Sequence, residues 1–170
     1  MEPLIPSIIL TIKNILVQLI LNNGQSIKGV FEYAYFKFPV CNFKLYSDSG
    51  KLIKRYKISE INKVVLAGSD TTLSKKDSTY FIRIGKSSLY RQLTFGAIEI
   101  FDPLVNVNES PGLISSNTAV LENNKLKEFY SEKKILKYIE NKLKEKGIEK
   151  TFKSTKDAIR YLNFSVPVMR

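Results

Sequence analysis

The chain contains no histidine and no tryptophan, and it has a single cysteine, Cys41. Without imidazole there is no Ser–His or Cys–His nucleophile pair and no histidine metal ligand. The side chain best suited to proton transfer near neutral pH is also missing. A lone thiol excludes an intrachain disulfide and, with histidine absent, a structural zinc site within one chain. The missing disulfide fits a reducing compartment. Acidic residues are scarce as well: 16 Asp and Glu stand against 27 Lys and Arg, a formal charge of +11. Such an excess attracts polyanions, acidic proteins or anionic lipid, and salt weakens the attraction. The charge is spread along the chain rather than gathered in one block, as it would also be for lysines that serve only solubility.

Long apolar runs are lacking too. Residues 4–21 are apolar, but Pro6, Lys13, Asn14 and Gln18 interrupt them, so no membrane span is expected. The opening Met1-Glu2-Pro3 has no basic stretch ahead of its apolar residues, so no ordinary signal peptide is expected. A cytoplasmic or virion-associated location follows by default, and export only for a chain whose leader has been removed.

What is present is a chain of 170 residues with 44% hydrophobic content, enough to bury a core. Ten Phe and nine Tyr supply the aromatic content, and they suit pleated, half-buried strands. Asn14–Leu21 (NILVQLIL) and Gln25–Tyr35 (QSIKGVFEYAY) flank Asn22-Asn23-Gly24, a hairpin signal in which two turn positions are expected at positive φ. In the second strand Phe31, Tyr33 and Tyr35 alternate with Val30, Glu32 and Ala34, which places the aromatic set toward the core. Further strands are expected over Asn42–Ser47 and Lys51–Ile58, joined at Asp48-Ser49-Gly50, and then over Lys63–Leu66 after a turn at Ser59-Glu60-Ile61. Beyond a polar loop at Gly68–Asp77, strands follow over Tyr80–Ile84 and Ser88–Thr94 around Gly85-Lys86, and over Ala97–Phe101. A loop at Asn106–Gly112 leads to Leu113–Leu121 and Lys125–Tyr130, which flank Asn123-Asn124.

After Ser131 the apolar period becomes helical through Ile135, Leu136, Ile139 and Leu143, with Gly147 as the stop. Ser154 reads as the cap of a second helix, with Asp157 three residues on and Ala158, Ile159 and Leu162 as its apolar face. The expected fold is mainly β: a sandwich or barrel of about eight to ten short strands with one or two C-terminal α-helices. Residues 1–130 form the β-rich domain, with 1–13 an arm or short helix. Residues 131–170 form a helical segment packed on the same domain.

Catalytic chemistry is left to carboxylates. Glu99 and Asp102 lie three apart near a strand end, and Asp48 and Glu109 are further acids that a hydrolase could recruit. On a regular strand that spacing points the first two to opposite faces. Gly85-Lys86-Ser87 has the ending of a phosphate-binding loop, but Tyr80 stands where the first glycine belongs, and a strand hairpin replaces the strand-to-helix context. No metal or cofactor site is expected.

Two positive features remain. Lys51, Lys54, Arg55 and Lys57 surround Tyr56 in KLIKRYK, a pattern able to bind phosphates and stack a base. It is equally the pattern of a solvated edge strand whose lysines prevent edge-to-edge pairing. Both chain ends are apolar, and Leu4, Ile5, Ile8 and Ile9 with Phe164, Val166, Val168 and Met169 are candidates for docking on a partner subunit. Lys125–Arg160 carries twelve basic and six acidic residues, the mark of a Lys-rich helical surface.

Residues 3–68 resemble Sm-like proteins. The resemblance rests on the strand Ile15–Leu21, Asn23-Gly24, Gly29, the segment Cys41-Asn42-Phe43-Lys44-Leu45, and Val64-Val65-Leu66-Ala67-Gly68 in the place of the closing Arg-Gly segment. It departs from the family at Ala67, where the Arg is expected, and at Tyr35, near the place of an acidic residue. It implies an RNA-binding ring with Asn42 near the base. Over a longer span, Tyr56–Ile61 (YKISEI) and Tyr80–Tyr90 (YFIRIGKSSLY) are similar to uncharacterised β-rich proteins of Bacteroidetes, which continue into a helical segment and imply no activity. The resulting expectation is a non-catalytic structural or interaction module, a subunit of a cell-envelope or virion-type assembly. A nucleic-acid-binding barrel is the alternative, and a carboxylate-dependent hydrolase the remaining one.

Overall fold

A computed structural model describes residues 14–32, 42–67, 75–85, 88–102 and 118–165. Ten strands run in chain order: β1 (Asn14–Leu21), β2 (Ser26–Glu32), β3 (Asn42–Tyr46), β4 (Leu52–Lys57), β5 (Ile61–Ala67), β6 (Ser78–Ile84), β7 (Ser88–Gln92), β8 (Ile100–Asp102), β9 (Thr118–Glu122) and β10 (Lys125–Phe129). A 3₁₀ turn, Ile58–Glu60, joins β4 to β5, and two helices follow, α1 (Glu132–Glu145) and α2 (Thr155–Phe164). The fold is mainly β, as expected. Among the described residues all ten strands belong to one antiparallel sheet in the order β10-β9-β8-β7-β6-β5-β1-β2-β3-β4, and that sheet is not closed.

Turn chemistry sets the hairpins, with one exchange of roles. At Asn22-Asn23-Gly24 only Gly24 has positive φ, 83°. The Gly24 amide donates to Leu21 O at 3.0 Å and the Leu21 amide to Gln25 O at 2.9 Å, which makes a three-residue loop rather than the two-residue Asn-Gly turn expected. The turn with both central residues at positive φ is Asn123-Asn124, at 51° and 60°, between β9 and β10. Arg83 of β6 locks the first hairpin to the sheet. Its guanidinium donates to Ile61 O at 2.7 Å, Gly85 O at 2.7 Å and Asn22 Oδ1 at 2.9 Å, while Asn22 Nδ2 donates to Ser59 O at 2.6 Å.

The close approach of β2 to β3 requires Gly29. A Cβ there would stand 2.7 Å from Leu45 Cδ1 and 2.8 Å from Tyr46 O, shorter than any tolerated contact. The two strands share one pair, Val30↔Tyr46, which marks where β2 turns over β3.

Two hydrophobic clusters line the sheet. The first gathers Val17, Leu19, Phe43, Leu45, Tyr56, Ile58, Ile61, Val64, Leu66, Phe81 and Leu89. Among the described residues these come only from strands and the 3₁₀ turn, the pattern of a sheet that curls around its own apolar face. The second joins Leu93, Ile98, Ile100, Val120 and Phe129 to Ile135, Ile139 and Leu143 of α1 and Ala158, Ile159 and Leu162 of α2. The helical residues expected to face inward do so, and Ser154 Oγ accepts from the Asp157 amide at 3.2 Å as the α2 cap. Gly147, φ 78°, follows the Lys146 cap just past the end of α1. The clusters part along β7, so the helices pack on β8–β10 and leave β1–β5 to the other core. No helix among the described residues is long and apolar enough to cross a membrane.

Candidate functional site

Among the described residues β4 is the last strand of the sheet and pairs only with β3. Its apolar alternation is weak at the start and strong at the end, so Leu52 through Arg55 are exposed while Tyr56 turns into the first core. Leu52 is 39% and Ile53 51% exposed, so the edge offers two apolar side chains where its register with β3 shifts, Leu45 pairing with Lys54 and Tyr46 with Leu52. Lys51, Lys54, Arg55 and Lys57 are all exposed around them. Tyr56 is a correction to the sequence reading: at 4% exposure its ring is a core residue, with Lys54 Nζ 4.9 Å from its centroid, and it presents no surface on which a base could stack. The depth of Tyr56 follows from its pairing with the buried Phe43 on β3.

The docking candidates divide. Phe164 ends α2, is 38% exposed, and has Lys75 Nζ 5.4 Å from its ring centroid. Leu4, Ile5, Ile8, Ile9, Val166, Val168 and Met169 lie outside the described residues. So do the aromatic side chains of Phe31, Tyr33 and Tyr35, and the Asn42 side chain on which the Sm-like reading turned.

Among the described residues the candidate carboxylates Asp102 and Glu99 have separate partners. Asp102 is buried and bound to Arg91, Oδ2 to Nη2 at 2.7 Å, an arrangement that fixes strands β7 and β8 across their register pair. Glu99 is reached by Gln92 Nε2 at 3.5 Å, and Asp48 sits in the exposed turn before β4. Glu109 is outside the described residues. Among those described, no three His, Cys, Asp or Glu side chains converge as a metal site would need.

A cleft of about 680 Å³ opens beside α2. The segment leading into the helix supplies Lys150, Phe152 and Lys153, and the helix supplies Arg160, Tyr161 and Phe164, four positions or less apart and so on one side of it. Phe152 and Tyr161 pack at 5.4 Å between ring centroids, and Lys150 Nζ lies 5.5 Å from the Tyr161 ring. Asp157 is the one acidic residue of the lining. The sequence marks this stretch as a Lys-rich helical surface and offers Phe164 as a docking residue, but it does not single out Phe152 and Tyr161. The signal was available in the spacing of Phe152, Tyr161 and Phe164, but only the turn between the helices brings Phe152 to the others.

A second hollow of about 460 Å³ lies over β1, β2 and β5, with Leu16, Lys28 and Asp48 in its lining. Comparison of the chain with family models, with curated proteins and with solved structures finds no match.

Proposed function

We propose that the protein is a non-catalytic interaction module, one subunit of a larger assembly, which takes up an extended acidic segment of a partner protein as an added strand on β4. The position of β4 carries this reading. A terminal strand presents a row of amides and carbonyls that another strand can satisfy, and the added main-chain bonds supply affinity while alternate side chains supply choice. Leu52 and Ile53 offer exposed apolar contact, and Lys51, Lys54, Arg55 and Lys57 favour acidic side chains opposite them.

Charge opposes pairing of two copies. A two-fold antiparallel pair across β4 keeps faces together, so centring it on residue 54 sets Lys54 against Lys54 and Lys51 against Lys57. Centring it on residue 55 sets Arg55 against Arg55. Like charges directly opposite destabilise a strand pair. The other free edge, β10, also carries exposed lysines, Lys125 and Lys127, so a head-to-tail pairing of β4 with β10 meets the same repulsion. A ring closed by strand pairing, as the Sm-like resemblance implies, needs two free edges per copy. Within that span β5 already has β6 on its outer side, which leaves β4 alone. Nucleic acid at β4 loses its stacking ring with the burial of Tyr56.

The test is a labelled peptide of alternating Glu and Val, followed by anisotropy at low salt, with amide hydrogen exchange of the protein alongside. Binding is expected to slow exchange within residues 52–57 and to vanish in Lys54→Glu/Arg55→Glu. Equal binding by that variant, or unchanged exchange in β4, would defeat the reading.

A further inference from the structure

From the cleft beside α2 we infer a second site, one that binds a nucleotide unit: an aromatic base against the rings and its phosphate against the surrounding cations. Three observations combine. The cleft volume, about 680 Å³, lies in the range of ligand pockets. Phe152, Tyr161 and Phe164 gather at one place on the surface, and Phe164 is 38% exposed. Cations ring those aromatics: Lys150 and Lys153 before the helix, Arg160 on it, and Lys75 arriving from the start of β6 with its ammonium 5.4 Å from the Phe164 centroid.

A bare polyanion site needs only the cations, and an apolar docking site needs only the rings. Both together match single-strand recognition, in which bases stack on aromatic faces and lysines follow the backbone. The lysines now poised over Tyr161 and Phe164 sit on flexible, exposed stems. When a base takes the ring face, each ammonium can swing to the phosphate of that same nucleotide and keep its charge partnered. Asp157, in the first turn of α2, is the one acidic residue among those lining the cleft, and Lys150, Lys153 and Arg160 outnumber it there.

The site stands apart from β4, and the experiment separates them. A labelled oligo-thymidylate and free uridine monophosphate are titrated into the full chain at low salt, with heparin as a ring-free polyanion. The oligonucleotide is expected to bind, and Phe164→Ala to weaken it roughly fivefold to a hundredfold, the effect of losing one stacked base. Phe164→Ala is expected to leave heparin unchanged. Lys153→Ala/Arg160→Ala is expected to flatten the dependence of log affinity on log salt by about 0.7 for each phosphate that is no longer neutralised. Lys54→Glu/Arg55→Glu is expected to leave the loss caused by Phe164→Ala intact, just as Phe164→Ala leaves the acidic peptide bound. Monophosphate binding identifies a free nucleotide as the ligand, and oligonucleotide binding alone identifies a single strand. No oligonucleotide binding at low salt, or binding indifferent to Phe164→Ala, overturns the inference.

Discussion

Single side chains hold this molecule at three places that composition does not announce. Gly29 admits β3 against β2, and Gly29→Ala forces a methyl group into Leu45 and the Tyr46 carbonyl. A loss of about 1–3 kcal/mol is expected in denaturant unfolding, since overpacking costs that much and a backbone oxygen yields less than a side chain. Arg83 spans three carbonyl-type acceptors from three segments, and its planar fork of donors is what makes that possible. Arg83→Lys keeps the charge and loses the fork, so a drop of about 1–3 kcal/mol is expected in the same measurement. Asp102 answers Arg91 in the interior, and Asp102→Asn leaves the guanidinium without its carboxylate, at a cost of about 3 kcal/mol or more. Tyr138 gives a pH signature. Its half-buried hydroxyl is held above its ordinary pKa of 10.0, first by burial and then by the nearby Glu122 carboxylate. The folded state therefore prefers the protonated phenol. That contribution is whole below the ordinary value and is lost as pH rises through the higher folded one. Unfolding at alkaline pH is expected to show a steeper loss of stability in the parent than in Tyr138→Phe.

Among the elements, β4 and α2 present the two surfaces that matter, for opposite reasons. A strand at the end of a sheet is open by its position, and its lysines are the customary protection against pairing with copies of itself. Neutralising them in Lys54→Thr/Arg55→Thr keeps strand propensity and removes the repulsion. The variant is expected to associate with rising concentration in sedimentation while the parent stays a monomer. The pattern KLIKRYK is legible as an edge strand in the sequence itself, because alternation and charge are local. The burial of Tyr56 is not legible there, because it depends on Phe43, a partner on the neighbouring strand. α2 is legible down to its cap: Ser154 accepts from Asp157, and Ser154→Ala is expected to cost about 1 kcal/mol in thermal unfolding. The ring cluster beside it draws on Phe152, outside the helix, and on Lys75, far away in sequence, so no periodic pattern could reveal it.

The described residues form one sheet with two cores, which part at the end of β7, between Leu89 of the first and Leu93 of the second. The first core is built from strands and the 3₁₀ turn among the described residues, whereas the second depends on α1 and α2 to cover β8–β10. Ile139→Ala empties a fully buried position under the helices and is expected to cost about 2–5 kcal/mol. In native-state hydrogen exchange it is expected to open β8–β10 and the helices well before β1–β5. Leu19→Ala is expected to do the reverse. Uniform loosening in both variants would show that β7 couples the halves into one cooperative unit. The excess of positive charge belongs to this scale too: it raises encounter rates with any acidic partner, and the partner is then chosen at β4 and at the cleft.

The order of residues was sufficient for whatever a few neighbouring positions decide. It marked nearly every hairpin through Gly and Asn, set the helix starts and stops through Ser154 and Gly147, and separated the β-rich body from a helical end. It also removed histidine chemistry outright, because a side chain that is absent from the chain is absent from every fold of it. Only the tertiary structure decided where the core would divide, that Tyr56 would be buried, that Asp102 would meet Arg91, that Phe152, Tyr161 and Phe164 would share one cleft, and that Lys75 would reach the Phe164 ring. Those outcomes depend on pairings between residues distant in sequence. Their stabilisation comes from burial and contact once the sheet has assembled, and local preference carries almost no record of it.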